Sequence, residues 1–159
     1  MTVSYTEQSF EQFRDTLAGA SATYAVDFAA LNSSGVLGSA VLALGAPEED
    51  GAQYLSIAIR VTGMEAEAPV PQHIHGLFDE EGTPIDSTAP TIADDADGDG
   101  MVEVLEGLGS YGDVLLTLGA DEGLAMTEAD GSFTYIRSFD VSDDSNFFSP
   151  VSGNDYTGA

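Results

Sequence analysis

The apolar residues of the chain follow two different spacings, and the change falls near residue 22. Before it, apolar side chains recur at the three-to-four-residue spacing of a helix, at Phe10, Phe13 and Leu17. Ser4 or Thr6 would cap the start of such a helix, and Gly19 would end it. The pattern therefore predicts one short amphipathic helix at the N-terminus.

Beyond residue 22, short apolar runs alternate with turn-forming residues, a pattern typical of antiparallel strands. The runs cover residues 23–31, 35–44, 53–64, 70–78, 101–107, 113–119, 123–126 and 132–141. The run 53–64 alternates most cleanly, with Leu55, Ile57 and Ile59 on one face. Turn residues at 32–35 and the Asp-Gly pair at 130–131 favour hairpins. We therefore expect an all-β fold, an antiparallel Ig-like β-sandwich.

The length of 159 residues suits one domain with one core. We divide the chain into an N-terminal helical segment (1–21), a β-sandwich domain (22–145) and a polar C-terminal tail (146–159). The last ten residues are small and polar, so we expect the tail to be frayed.

The net charge of the chain limits the partners that it can bind. Three basic and 28 acidic residues give a net charge of −25, which excludes nucleic acid and anionic membranes because both bind basic surfaces. Metal cations are the natural complement. The chain has no cysteine and no apolar run long enough to span a bilayer. Its first ten residues lack the basic region and the apolar run of a signal peptide.

The densest acidic stretch, DADGDGMVEVLE at residues 95–106, fits the calcium-loop pattern D-x-[DN]-x-[DN]-G-x₅-E at every fixed position. The predicted ligands are the side chains of Asp95, Asp97 and Asp99, the carbonyl of Met101, Glu103 through water, and Glu106 with both oxygens. Gly100 permits the sharp turn. Residues 101–105 alternate like a strand, with at most a helical turn near 103–107, so we expect Ca²⁺ to stabilise the fold without opening a helix pair.

His73 and His75 are the only histidines of the chain. On a strand, residues two apart point to the same side, so both imidazoles can reach one Zn²⁺ or Cu²⁺ ion. A carboxylate would have to complete the site, and nothing in the spacing selects among Asp79, Asp86 and Asp94. The alternative is that the imidazoles hold the 79–100 loop by hydrogen bonds. Ser87 and Thr88 are poor candidates for nucleophiles, because the sequence around them shows no oriented histidine and acid.

Four short motifs together resemble the CHRD domain family. They are His-Ile-His-Gly at 73–76, the acidic Asp95–Gly100, Glu-Gly at 106–107 and Tyr-Gly at 111–112. The resemblance covers about residues 22–140. It implies a Greek-key β-sandwich similar to Cu/Zn superoxide dismutase, in a secreted bacterial module without catalytic activity. His73 and His75 match a dismutase H-x-H element, but the remaining dismutase imidazoles have no counterpart, so we expect no dismutase activity.

A second resemblance concerns the C-terminus, and three tyrosines raise a third candidate function. Residues 152–158, SGNDYTG, resemble a fragment of RTX calcium repeats, which implies type I secretion. Adhesion or carbohydrate binding would use aromatic platforms, for which Tyr54, Tyr111 and Tyr135 are the candidates. The leading expectation stays a calcium-binding extracellular module, with a Zn²⁺ or Cu²⁺ protein or metalloenzyme as the alternative. A protein or carbohydrate partner cannot be named from the sequence.

Overall fold

The computed structural model describes residues 3–28, 34–119 and 124–156. The strands are β1 (Tyr5–Glu7), β2 (Ala22–Phe28), β3 (Leu37–Leu44), β4 (Tyr54–Thr62), β5 (Pro69–Val70), β6 (His73–Phe78), β7 (Pro84–Ile85), β8 (Asp113–Thr117), β9 (Ala125–Met126) and β10 (Phe133–Asp140). The α-helices are α1 (Phe10–Gly19) and α2 (Val104–Tyr111), and 3₁₀ turns cover Ile92–Asp94 and Asp144–Asn146. The chain is thus mostly β, and α2 departs from the predicted all-β class. None of the described helices is long and apolar enough to cross a membrane.

The larger sheet has five antiparallel strands in the order β1-β10-β4-β3-β2. Its register places Ile57 opposite Leu42 and Arg137, so alternate residues of β4 share a face with those of its neighbours. On β4 that inner face holds Ile57 and Ile59, which are 1% and 7% exposed. The predicted β2–β3 hairpin and the alternation of β4 are confirmed, while the predicted turn at 32–35 lies partly outside the described residues.

The second layer consists of a three-stranded sheet, β7-β6-β8, and a pair, β5-β9. Its apolar side chains meet the inner face of the larger sheet and form one core with it. Members of that core from the two layers include Val70, Leu116, Leu118, Ile57, Ile59, Phe133 and Phe139. This arrangement is consistent with a β-sandwich. The predicted turn at 128–132 forms, with the Gly131 N–H donating to Glu128 O at 2.9 Å, but β9 pairs with β5 rather than with β10.

The predicted N-terminal helix exists but begins later than expected. Ser9, and neither Ser4 nor Thr6, is the N-cap; its hydroxyl accepts the N–H of Gln12 at 3.2 Å. The helix begins later because Tyr5–Glu7 forms strand β1, which pairs with β10. Helix α1 then crosses the outer face of the larger sheet, where Phe13 is 4% exposed.

The prediction of a strand at residues 101–107 is wrong, because α2 begins at Val104. Apolar residues recur at helical spacing there as well, at Val104, Leu108 and Tyr111, and this second period determines the structure. Glu106 stabilises the helix start by accepting the N–H of Glu103 at 3.0 Å. The helix packs against β6.

Residues 146–149 pack against the sandwich, while the described part of the last ten residues, 150–156, is largely exposed but is held by hydrogen bonds to Asp113 rather than frayed, which corrects the expectation for the tail. Asn146 and Ser149 are each 1% exposed, and Phe147 and Phe148 contact the core. Phe148 also forms a β-bridge with Asp155. The segment is ordered because polar side chains within it find partners in the sandwich, chiefly Asp113. Residues 157 and 158 of the RTX-like motif lie outside the described residues.

Candidate metal sites

Asp95 winds the acidic loop into a tight turn. Its Oδ1 accepts the N–H of Gly98 at 2.7 Å and its Oδ2 accepts the N–H of Gly100 at 2.9 Å. Both glycines have positive φ, +77° and +91°, a conformation that L side chains rarely adopt. The loop therefore depends on glycine at these two positions.

The next two aspartates continue the same local pattern. Asp97 Oδ1 accepts the N–H of Asp99 at 3.1 Å, and Asp99 Oδ1 accepts the N–H of Met101 at 2.8 Å. Alternate side chains thus turn toward a common point, as the spacing predicted. Ligand oxygens of Asp95, Asp97 and Asp99 all lie within 4.8 Å of one another.

Glu106 connects the start of the loop to α2. Its Oε1 accepts the N–H groups of Ala96, at 2.7 Å, and Asp97, at 3.3 Å, while its Oε2 accepts the N–H of Glu103. Oxygens of Asp97, Glu103 and Glu106 form a second group within 4.8 Å. Asp97 belongs to both groups, so the structure brings all five predicted carboxylates into one cluster. The Met101 side chain is 49% exposed.

The cluster fits Ca²⁺ by size and by donor type. Oxygens bind this ion at 2.3–2.6 Å, so two ligands of one ion lie at most about 5.2 Å apart, and both groups satisfy that limit. Carboxylates are hard donors, which suit Ca²⁺ better than a thiophilic metal. The residues present therefore fit the ion that the sequence pattern implies.

The electrostatics of the cluster also favour a cation. The side-chain hydrogen bond between the two glutamates raises the pKa of Glu103 and lowers the pKa of Glu106. Among the described residues, the ion pairs join Arg14 to Glu11 and Asp15, and Arg137 to Glu7, so none reaches the loop. A divalent cation would supply the positive charge that the protein does not.

The two histidines lie together on β6. Their ring centroids are 5.9 Å apart, with an interplanar angle of 85°. His75 Nδ1 is 3.1 Å from the carbonyl oxygen of Gly112, and its ring packs on Tyr111 at 4.4 Å between centroids. Burial, followed by the charge of His75, lowers the pKa of His73. Neutral imidazole is the form that binds a metal.

No third ligand joins the histidines within the described part of the chain. The groups of three or more ligand atoms found there contain only carboxylates. Asp79 is engaged in its own turn with the N–H groups of Glu81 and Thr83, and Asp94 caps the 3₁₀ turn that begins after Thr91. Asp86 is exposed. The predicted completion of the histidine site by one of these carboxylates is therefore not seen.

Two of the three tyrosines proposed as binding platforms make hydrogen bonds within the protein. Tyr135 is 3% exposed and its hydroxyl donates to the Leu118 carbonyl, so this candidate is wrong. The Tyr111 hydroxyl donates to the Val104 carbonyl at 2.9 Å and supports α2. Tyr54 remains 39% exposed. The hydroxyls of Ser87 and Thr88 donate to backbone carbonyls of Tyr111 and Ser110.

Asp113 is the polar centre that sequence reasoning missed. Its carboxylate accepts hydrogen bonds from Ser149 at 2.5 Å, from Tyr156 at 2.7 Å and from Ser152. Burial would raise the pKa of Asp113, but these hydroxyl donors outweigh it and lower the pKa to about 2. No sequence pattern links Asp113 to residues so far along the chain, although the sequence does show a cluster of small polar residues after residue 148.

No protein-family model, no curated protein and no solved structure matches the chain. The resemblance to the CHRD domain family therefore stays a hypothesis that rests on four short motifs.

Proposed function

We propose that this protein is a non-enzymatic calcium-binding module of an extracellular bacterial protein, in which Ca²⁺ at residues 95–106 stabilises the fold. The observation that carries the proposal is that two sets of three acidic residues share Asp97. Within each set, the ligand oxygens lie within 4.8 Å of one another. The two groups together contain the five acidic side chains of a complete calcium-loop pattern, and this supports the proposal.

Each residue has a role in the proposed site. Asp95, Asp97 and Asp99 supply one side-chain oxygen each, the Met101 carbonyl supplies a backbone oxygen, and Glu103 binds through water. Glu106 supplies both oxygens. When bound, Ca²⁺ supplies positive charge and coordination to oxygens that otherwise repel one another. Gly98 and Gly100 keep the loop narrow enough for the aspartates to converge.

The role of calcium in this proposal is stability rather than switching. An EF-hand switch needs a helix on each side of its loop. Here α2 directly follows the loop, whereas the element directly before it is the 3₁₀ turn Ile92–Asp94. Glu106 already ties the loop to α2 through backbone hydrogen bonds. Binding would therefore strengthen a connection that the protein makes by itself.

The finer fold and the location belong to the same proposal. The four motifs favour the Greek-key, superoxide dismutase-like arrangement of the CHRD family and secretion, and the RTX-like segment favours type I secretion. Extracellular modules bind Ca²⁺ with dissociation constants of about 10⁻⁴ to 10⁻³ M. A site filled to 100 times its dissociation constant adds about 2.7 kcal/mol of stability.

Thermal unfolding with millimolar Ca²⁺ and with chelator tests the proposal. We expect the melting temperature of the parent protein to rise with Ca²⁺ by several degrees more than with equal Mg²⁺, since Mg²⁺ demands a smaller octahedral shell. The double variant Asp95→Asn, Glu106→Gln should lose this shift.

Asp130→Asn is a matched control, because Asp130 also caps a glycine-containing turn, accepting the Ser132 N–H at 2.9 Å. It should retain the full calcium shift. Equal melting temperatures of the parent protein in Ca²⁺ and chelator, or a shift that the double variant keeps, would contradict the proposal.

A second candidate function is Zn²⁺ or Cu²⁺ binding at His73 and His75. It is favoured by the contact of His75 Nδ1 with the Gly112 carbonyl, because metal-binding histidines usually donate their other ring N–H to such an oxygen and leave Nε2 free. Titration with Zn²⁺ in the presence of Ca²⁺ separates the two sites. Binding lost in His73→Ala but kept in Asp95→Asn supports this function, and binding unaffected by His73→Ala rejects it.

A further inference from the structure

An apolar cleft of about 330 Å³ lies between α1 and the outer face of the five-stranded sheet. Its apolar walls are formed by Phe10, Phe13 and Leu17 from α1 and by Val41, Ala58 and Ile136 from the sheet. Phe10 stands 73% exposed, although it is a large apolar side chain. The volume lies at the lower end of the roughly 300–1,000 Å³ of small-molecule sites.

The strand register gives this cleft one apolar and one polar end. Val41, Ala58 and Ile136 are directly opposite one another and form one row across β3, β4 and β10. The next lining row consists of Ser39, Arg60 and Thr134, which are likewise opposite one another. Both rows line the cleft. A ligand lying across the rows would meet hydrocarbon first and then two hydroxyls and a guanidinium.

The placement of arginine in this cleft is unusual for so acidic a chain. Of the three basic residues, two, Arg14 and Arg60, line it. Arg14 is paired through its Nη2 with Asp15 at 3.1 Å and with Glu11 at 3.8 Å. Arg60 has no ion pair among the described residues. Its planar fork of N–H donors therefore remains available for a carboxylate.

We propose that the cleft binds a free fatty acid of medium chain length. The carboxylate lies at Arg60 between the hydroxyls of Ser39 and Thr134, and the alkyl chain lies over Ala58 beneath Phe13. Charge complementarity selects the ligand, because the polar end offers one unpaired positive charge and hydroxyl donors, while the rest is hydrocarbon. The site is independent of the acidic loop, since the cleft is on the face of the larger sheet opposite the second layer.

Amide chemical shifts during titration with sodium octanoate and with 1-octanol test this site. The two probes have the same total number of carbon atoms, and only octanoate has a charged head group. For the parent protein, we expect saturable shifts in residues of α1, β3 and β4, with octanoate bound at least about tenfold more tightly, as a charged hydrogen bond implies. Experiments at 150 mM NaCl screen the repulsion between the anion and the protein's net charge.

Two variants separate the polar and apolar parts of the proposal. Arg60→Gln should lower octanoate affinity by about tenfold and leave octanol affinity unchanged. Ala58→Leu should abolish binding of both probes by filling the cleft. Circular dichroism verifies that each variant is folded.

Several outcomes would overturn the proposal. They are absence of saturable octanoate binding by the parent protein, equal affinities for octanoate and octanol, and unchanged octanoate affinity in Arg60→Gln. Co-sedimentation with phosphatidylcholine vesicles, with no binding of free octanoate, would show a lipid-surface contact and would equally reject a fatty-acid site.

Discussion

The carboxylate of Asp113 should make the stability of this protein pH-dependent in a narrow acidic range. The perturbation is Asp113→Asn, which keeps the shape of the side chain but removes one acceptor oxygen and the charge. In the parent protein that carboxylate accepts hydrogen bonds from Ser149, Ser152 and Tyr156. It thereby fixes the C-terminal segment to the first residue of β8.

The magnitude follows from the pKa of Asp113, which falls from its usual 3.8 to about 2 in the folded protein. A difference of this size corresponds to about 2.4 kcal/mol, and solvent screening of a partly exposed carboxylate reduces it to about 1–2 kcal/mol. Because the folded pKa is depressed, this stability is present in full above about pH 4. It is lost as the pH falls from about 4 to about 2.

Urea unfolding at fixed pH values between 2 and 7, followed by circular dichroism, measures the effect. The parent protein should exceed Asp113→Asn by about 1–2 kcal/mol at pH 6, and the difference should vanish near pH 2. Comparing the two proteins at each pH cancels the titration of the other carboxylates. Glu49→Gln, at an exposed turn position, should track the parent throughout. A gap between the parent and Asp113→Asn that stays constant from pH 7 to pH 2 would refute the reasoning.

Two further predictions concern the buried residues Asn146 and Gly112. Asn146→Ala should lower the free energy of unfolding in urea by about 2–3 kcal/mol. Asn146 accepts the N–H of Ser4 at 2.9 Å and donates to the Asp140 carbonyl at 2.9 Å, and both groups would lose their partner. A loss below about 0.5 kcal/mol would contradict this. Gly112→Ala should cost at least about 3 kcal/mol, because an added Cβ would overlap the backbone of β6 at a φ of +80°. Gly109→Ala, with open space around it in α2, should be neutral or stabilising, and equal losses for both glycines would reject the steric argument.

The parts of the fold that could be predicted were those governed by local patterns. The alternation in β4 identified its buried face because a strand repeats every two residues. The residues of the calcium-loop pattern lie in two carboxylate groups that share Asp97, because the turns at Gly98 and Gly100 are set by nearby residues. The N-terminal helix was found for the same reason, although its start was displaced by the long-range pairing of β1 with β10.

The failures have a physical cause in common. Residues 101–107 satisfy the period of a strand and that of a helix. Contact with β6, together with the hydrogen bond from the N–H of the N-cap Glu103 to the Glu106 carboxylate, favours the helix. The Asp113 cluster joins residues 36 and 43 positions apart, which no local pattern reports. His73 and His75 were correctly expected on one side, but their surroundings depend on which loops fold over β6.

Residue-resolved calcium titration tests the central claim most directly. In ¹⁵N-resolved spectra at 150 mM NaCl, the amides of Gly98 and Gly100, which both donate to Asp95, should shift with Ca²⁺ and saturate with a single dissociation constant of about 10⁻⁴ to 10⁻³ M. The same amides should not respond saturably in Asp95→Asn, Glu106→Gln. Weak, unsaturated shifts spread over all acidic surfaces, with none concentrated in residues 95–106, would contradict the account.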